Sequence, residues 1–130
     1  MTIPTSSLEL ARLCFNTLSR DVYANNVKAG WFKDPITGRT LKVDPLQKLM
    51  LMVTEISECA EGVRKNIPDT HLPDRSMEEV ELADVLIRLF EYAGWRDLDL
   101  GGAFVDKVHY NAIRADHQMA NRKLPGGKQC

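Results

Sequence analysis

Two pairs of carboxylates carry the chemistry that can be read from this chain. Glu55 and Glu58 stand in LMVTEISECAEG, and Glu81 and Asp84 in SMEEVELADVLIRLF. Each pair is spaced i, i+3, which on a helix puts both side chains on one face about one turn apart. Each also interrupts the most apolar part of its own segment. Acidic groups held near a core need cations, and two such pairs facing each other would form an oxygen cage for a divalent ion. An all-carboxylate donor set favours Mg²⁺, with Mn²⁺ able to substitute, over zinc, which prefers His or Cys. The bland alternative is a solvated face, since Glu is a good helix former that favours exposed positions. Local neutralisation is incomplete: Arg88 stands i+4 from Asp84, but Cys59 and Gly62 occupy the places four beyond Glu55 and Glu58.

The elements that must position these groups read as helices throughout, with almost nothing resembling a strand. Ser6 and Ser7 are caps for a first helix from about Leu8 to Lys28. It carries Leu10, Leu13, Cys14, Thr17, Leu18, Val22 and Tyr23 at helical spacing. Asp44 followed by Pro45 opens a second helix to about Lys65. The stretch NIPDTHLPDR is a loop, because two prolines interrupt it. Ser76 and Glu79 make a capping box for a third helix ending near Gly94. Asp99 caps a fourth, from about Gly101 to Arg122. Four helices joined by modest loops predict an all-α four-helix bundle.

On the second helix Leu46, Leu49, Met50, Val53, Ile56, Ala60 and Val63 form a stripe roughly opposite Glu55 and Glu58. Leu51 and Met52 make that helix apolar nearly all round, as in a helix buried on several sides. The third helix repeats the arrangement with Leu82, Val85, Leu86, Leu89 and Ala93. Both acidic faces are therefore expected to point at protein, either another helix or a second subunit.

The totals exclude several classes. At 130 residues the chain is most simply one domain, read here as residues 1–123 with a frayed tail 124–130. Its 44% apolar and 27% charged composition is that of a globular protein, and a net charge of -1 leaves no footprint for nucleic acid or an anionic membrane. No apolar run reaches the roughly 20 residues that span a bilayer. MTIPTSSLEL has neither the basic nor the apolar region of a signal peptide. Cys14, Cys59 and Cys130 are odd in number and widely spaced, so reduced thiols and a cytoplasmic location are expected.

Beyond the acids, Lys107, Asn111 and Arg114 lie at i, i+4 and i+7, on one face of the expected fourth helix. A cation, an amide and a guanidinium fork in line suit a polyphosphate, although a solvated polar stripe has the same spacing. Lys65 at the end of the second helix is a weaker phosphate candidate, because helix C-termini attract lysine anyway. Trp31 in GWF is either a ring for stacking on a base or a core plug. Trp95 is expected to pack the turn between the third and fourth helices. Asp106 and His109 form one DxxH pair, where a di-iron bundle would need two ExxH motifs.

EISE followed by ELAD resembles the ExxE…ExxD signature of the MazG-like, all-α nucleoside triphosphate pyrophosphohydrolases. The resemblance runs from KLMLMVTEISECAEGVRK through VELADVLIRLFEYAG to LDLGGAFVDKVHYNAIRADH, with a looser match at NNVKAGWF, and so covers most of the chain. It implies cleavage of a (deoxy)nucleoside triphosphate between the α and β phosphates. Glu55, Glu58, Glu81 and Asp84 would then hold Mg²⁺, and either Glu55 or Glu58 would activate water. Lys107, Asn111, Arg114, Lys65 and Trp31 are the substrate-binding candidates. Base contacts would come from the first helix and the GWFKDP loop. A homodimer or homotetramer is expected, from helices apolar on more than one face and from the resemblance. Hydrolysis of another pyrophosphate-linked nucleotide, such as phosphoribosyl-ATP, and a non-catalytic helical interaction module are the rival readings.

Overall fold

A computed structural model describes residues 3–128, and Cys130 and the end of the expected tail lie outside the described residues. The chain is all-helical: α1 (Thr5–Lys28), α2 (Pro45–Lys65), α3 (Met77–Trp95), α4 (Leu100–Ile113), a 3₁₀ turn Ala115–His117 and a short α5 (Met119–Arg122). No strand occurs among the described residues, only two isolated bridges, Lys33 with Thr40 and Pro68 with Ser76.

Local chemistry sets most of the boundaries. Asp44 accepts from the Leu46 N–H ahead of Pro45, and Asn66 ends α2 in the left-handed region at φ 52°. Ser76 and Glu79 form the reciprocal capping box that opens α3. The first helix differs from expectation. It begins at Thr5, with Ser6 and Ser7 inside its first turn, because the Pro4 carbonyl already accepts from the Ser7 and Leu8 N–H groups.

The expected fourth helix also needs correction. It stops at Ile113, where Arg114 turns to φ -64°, ψ 127°. Side chains take over the backbone groups a continuing helix would use. Gln118 Nε2 donates to the Ala112 carbonyl at 2.9 Å, and Asn121 Nδ2 to that of Ala115 at 2.7 Å. Arg114 folds back onto Asp116 through two contacts of 2.5 and 2.7 Å. Asn and Asp compete with the backbone in this way and are poor helix residues.

The chain divides into two compact units, Thr17–Leu98 and a second made of Met1–Asn16 with Asp99–Cys130. In the first, α2 and α3 pack antiparallel, with Glu55 meeting Arg88 and Cys59 meeting Glu78. Gly62 permits the close approach, since a Cβ there would sit 2.9 Å from Met77 Cβ. The C-terminal half of α1 crosses α3 at Gly94, where a Cβ would run into the Ser19 carbonyl. Phe32, Phe90 and Ala93 are the buried apolar residues of this unit. In the second unit, Asn16 donates to Asp99 Oδ1 at 2.7 Å and accepts from the Gly101 N–H at 2.8 Å, while Phe15 meets Phe104 edge-on.

Of the two acidic faces expected to point at protein, Glu55 and Glu81 are buried and Asp84 is half-buried, but Glu58 is exposed. The apolar stripes are a different matter. Leu46, Leu49, Met50, Val53, Ile56 and Val63 of α2 are exposed, as are Leu82 and Leu86 of α3. A helix apolar nearly all round is thus covered in this chain chiefly along its carboxylate side.

Candidate metal centre

The buried seam between α2 and α3 brings Glu55, Glu81 and Asp84 together, with one oxygen of each within 4.8 Å of the others. Glu55 comes from the middle of α2; Glu81 and Asp84 come from adjacent turns of α3. Glu81 is only 7% exposed. Its carboxyl is pushed above the usual range, first by burial, then by the charge of Glu58, then by hydrogen bonding to Glu55. A buried carboxylate whose side-chain partner is another carboxylate lacks positive charge. Three convergent oxygen donors with that deficit fit a hard divalent cation, and the absence of His and Cys from the group fits Mg²⁺ or Mn²⁺ better than zinc.

Glu58 stands apart from that group. It is exposed on α2, and the structure brings its charge close enough to act on Glu81 without placing its oxygens among the three. Arg88 also differs from its sequence reading. The guanidinium reaches across to α2, where Nε donates to Glu55 Oε1 at 2.5 Å, rather than pairing with Asp84 on its own helix. The cation that α2 lacks locally is supplied from the facing helix.

The other sequence candidates fall into separate groups. Lys65 pairs with Glu61 at 2.8 Å, and Glu61 is drawn down to about 2 by Arg64 first and Lys65 second, so this lysine has a local partner. Lys107 and Arg114 belong to the second unit, where both approach the Tyr110 ring, at 5.0 and 5.9 Å. Arg114 closes α4 rather than continuing it, so the expected single helical face holds only for Lys107 and Asn111. Asn111 Oδ1 is buried and takes no hydrogen bond. Trp31 is 70% exposed and is no core plug; its neighbour Phe32 has that role. Trp95 closes α3, its ring against Tyr92 and Phe32.

Two features escaped the sequence reading. Buried Glu91 binds Lys48 and accepts from Asn26 Nδ2 at 2.6 Å, and Lys48 Nζ lies 4.6 Å above the Phe32 ring. A charged residue inside LFEYAGW was the available signal. Nearby is a cavity of about 350 Å³, walled chiefly by Tyr23, Val27, Phe32, Lys33 and Trp95. Its walls come from α1, the segment after it and the end of α3, so no single stretch of sequence announces it. No protein-family model, curated protein or solved structure matches this chain.

Proposed function

We propose that this chain is a Mg²⁺-dependent nucleotide pyrophosphohydrolase that cleaves a (deoxy)nucleoside triphosphate between its α and β phosphates. The observation that carries the reading is the convergence of buried Glu55 and Glu81 with half-buried Asp84 from two antiparallel helices, a group short of positive charge. The same residues support the ExxE…ExxD resemblance. A bound divalent ion would supply charge neutralisation at the phosphate oxygens and a lowered pKa for water. Glu55, Glu81 and Asp84 would hold that ion. Glu58, exposed on the same helix as Glu55, and Glu55 itself are the two candidates to accept a proton from an attacking water.

Base contacts are assigned to the cavity walled by Tyr23, Phe32 and Trp95, with exposed Trp31 as an additional stacking surface. Lys107, Asn111 and Arg114 remain polyphosphate candidates by residue type. A homodimer or homotetramer is part of this proposal, with a second copy covering the exposed stripes of α2 and α3. We assign the protein to the cytoplasm on its thiols and on the absence, among the described residues, of any helix long and apolar enough to cross a membrane.

The test is pyrophosphate release from a panel of canonical and modified nucleoside triphosphates, with Mg²⁺ and with EDTA. Metal-dependent release is expected, and Glu58→Gln is expected to abolish it while helical circular dichroism is retained. Full activity in that variant would remove Glu58 from the chemistry. No release from any triphosphate would shift the reading to another pyrophosphate-linked nucleotide, such as phosphoribosyl-ATP, or to a non-catalytic interaction module.

A further inference from the structure

Among the described residues, Arg88 is the cation in direct contact with the carboxylate group. Its Nε and Nη2 both meet Glu55 Oε1, each at 2.5 Å. The guanidinium therefore presents its Nε–Nη2 edge to a single carboxylate oxygen. Two parallel bonds to the two oxygens, the strongest arrangement of guanidinium and carboxylate, do not form. Among the described residues Glu55 Oε2 accepts no hydrogen bond from the guanidinium, and Arg88 Nη1 has no hydrogen-bond acceptor.

The two ends of the pair also differ in exposure. The Glu55 side chain is 8% exposed, and that of Arg88 is 39%. Arg88 stands four residues beyond Asp84 and seven beyond Glu81, so all three lie on one face of α3. The guanidinium thus sits at the solvent edge of the acidic group, with unused donors. It supplies the charge that the carboxylates lack, on a carboxylate that a divalent ion would also need.

We propose that Arg88 is an exchangeable counter-ion. It neutralises Glu55 while the carboxylates hold no metal, and it swings to an anionic, phosphate-type ligand once a divalent ion has taken Glu55. This rests on reading Glu55, Glu81 and Asp84 as a metal site. The exchange follows from charge: a divalent cation on Glu55 repels a guanidinium held at the same carboxylate, while the released fork matches phosphate geometry. Arg88 is permanently charged, so only a competing cation or anion moves it.

The experiment measures binding rather than turnover. Mn²⁺ alone is titrated calorimetrically into wild type, Arg88→Gln and Arg88→Lys. Inorganic pyrophosphate is then titrated into each at saturating Mn²⁺. Removing the competing charge should tighten Mn²⁺ binding by about fivefold in Arg88→Gln. The same variant should bind pyrophosphate at least about tenfold more weakly, and Arg88→Lys should recover part of that loss. Unchanged or weaker Mn²⁺ binding in Arg88→Gln, or unchanged pyrophosphate binding, would overturn the proposal and make Arg88 a structural ion pair. If Arg88→Gln fails to fold, Arg88→Lys decides alone, because wild-type pyrophosphate affinity in that variant would refute a role for the fork. A folded wild type that binds no Mn²⁺ would instead refute the metal site itself, and the exchange with it.

Discussion

Glu81→Gln distinguishes an acidic group made for a cation from one made for the fold. Two unit charges 4.8 Å apart repel by about 3.5 kcal/mol at an effective dielectric near 20. Glu81 faces two such neighbours, Glu55 and Asp84, with Glu58 acting on it as well. The protein does not bear the full repulsion. Arg88 offsets part of it through Glu55, and cover by a few neighbouring side chains, rather than a deep core, leaves water to screen more. Burial and these neighbouring charges push the Glu81 carboxyl above its ordinary 4.5, so the remaining repulsion falls on its ionised form. An isosteric amide removes that burden. In EDTA at about pH 8 the variant should be more stable by about 1–2 kcal/mol, or roughly 3–6 °C in melting temperature for a chain of this size.

The pH dependence has a definite sign. A carboxyl whose folded pKa is raised contributes stability that is complete below the unfolded value of 4.5 and is lost as pH rises through the higher folded value. Wild type and Glu81→Gln should therefore melt together at low pH and separate as pH increases. Divalent metal reverses the order. A ligand at a hundred times its dissociation constant stabilises the protein that binds it by about 2.7 kcal/mol, and the variant has lost a donor. The assay is thermal unfolding by circular dichroism across pH, with EDTA and with Mg²⁺. A variant that melts below wild type in EDTA at about pH 8 would show that ionised Glu81 holds the fold together. Equal stabilisation of both proteins by Mg²⁺ would remove Glu81 from the metal site.

Two further outcomes test the scaffold. Gly94→Ala should destabilise by about 2 kcal/mol or more, read as a lower urea midpoint, because the new Cβ would meet the Ser19 backbone, which cannot turn aside as a side chain can. Helix propensity returns at most about 1 kcal/mol of this, so an unchanged midpoint would refute the tight crossing of α1 and α3. Asp99 is held below the usual carboxylate range by the Asn16 amide first and the Gly102 N–H second. Its contribution is present above 3.8 and lost as pH falls through the lower folded value. Asp99→Asn, which keeps a competent cap, should therefore flatten the acid limb of the stability curve.

The helix boundaries that local chemistry controls were legible in the residues themselves. Asp44 with Pro45 and Ser76 with Glu79 satisfy backbone groups within four positions of themselves, so no distant contact was needed to place those starts. The break at Arg114 was harder to see. It depends on Gln118, Asn121 and Asp116 folding back together, and each of them alone is compatible with a helix.

The i, i+3 spacing likewise determined that Glu55 shares a face with Glu58, and Glu81 with Asp84, because helical geometry allows nothing else. Only the tertiary structure decided which face was covered. Nearly all-round apolar character leaves the choice open, and the packing of α2 on α3, close at Gly62, covers Glu55 and Glu81 while Leu46, Leu49, Leu82 and Leu86 stay exposed. It also decided which three of the four acids converge, and that the cation for Glu55 comes from α3. Side chains on different helices meet only through packing, and no spacing along the chain encodes that distance.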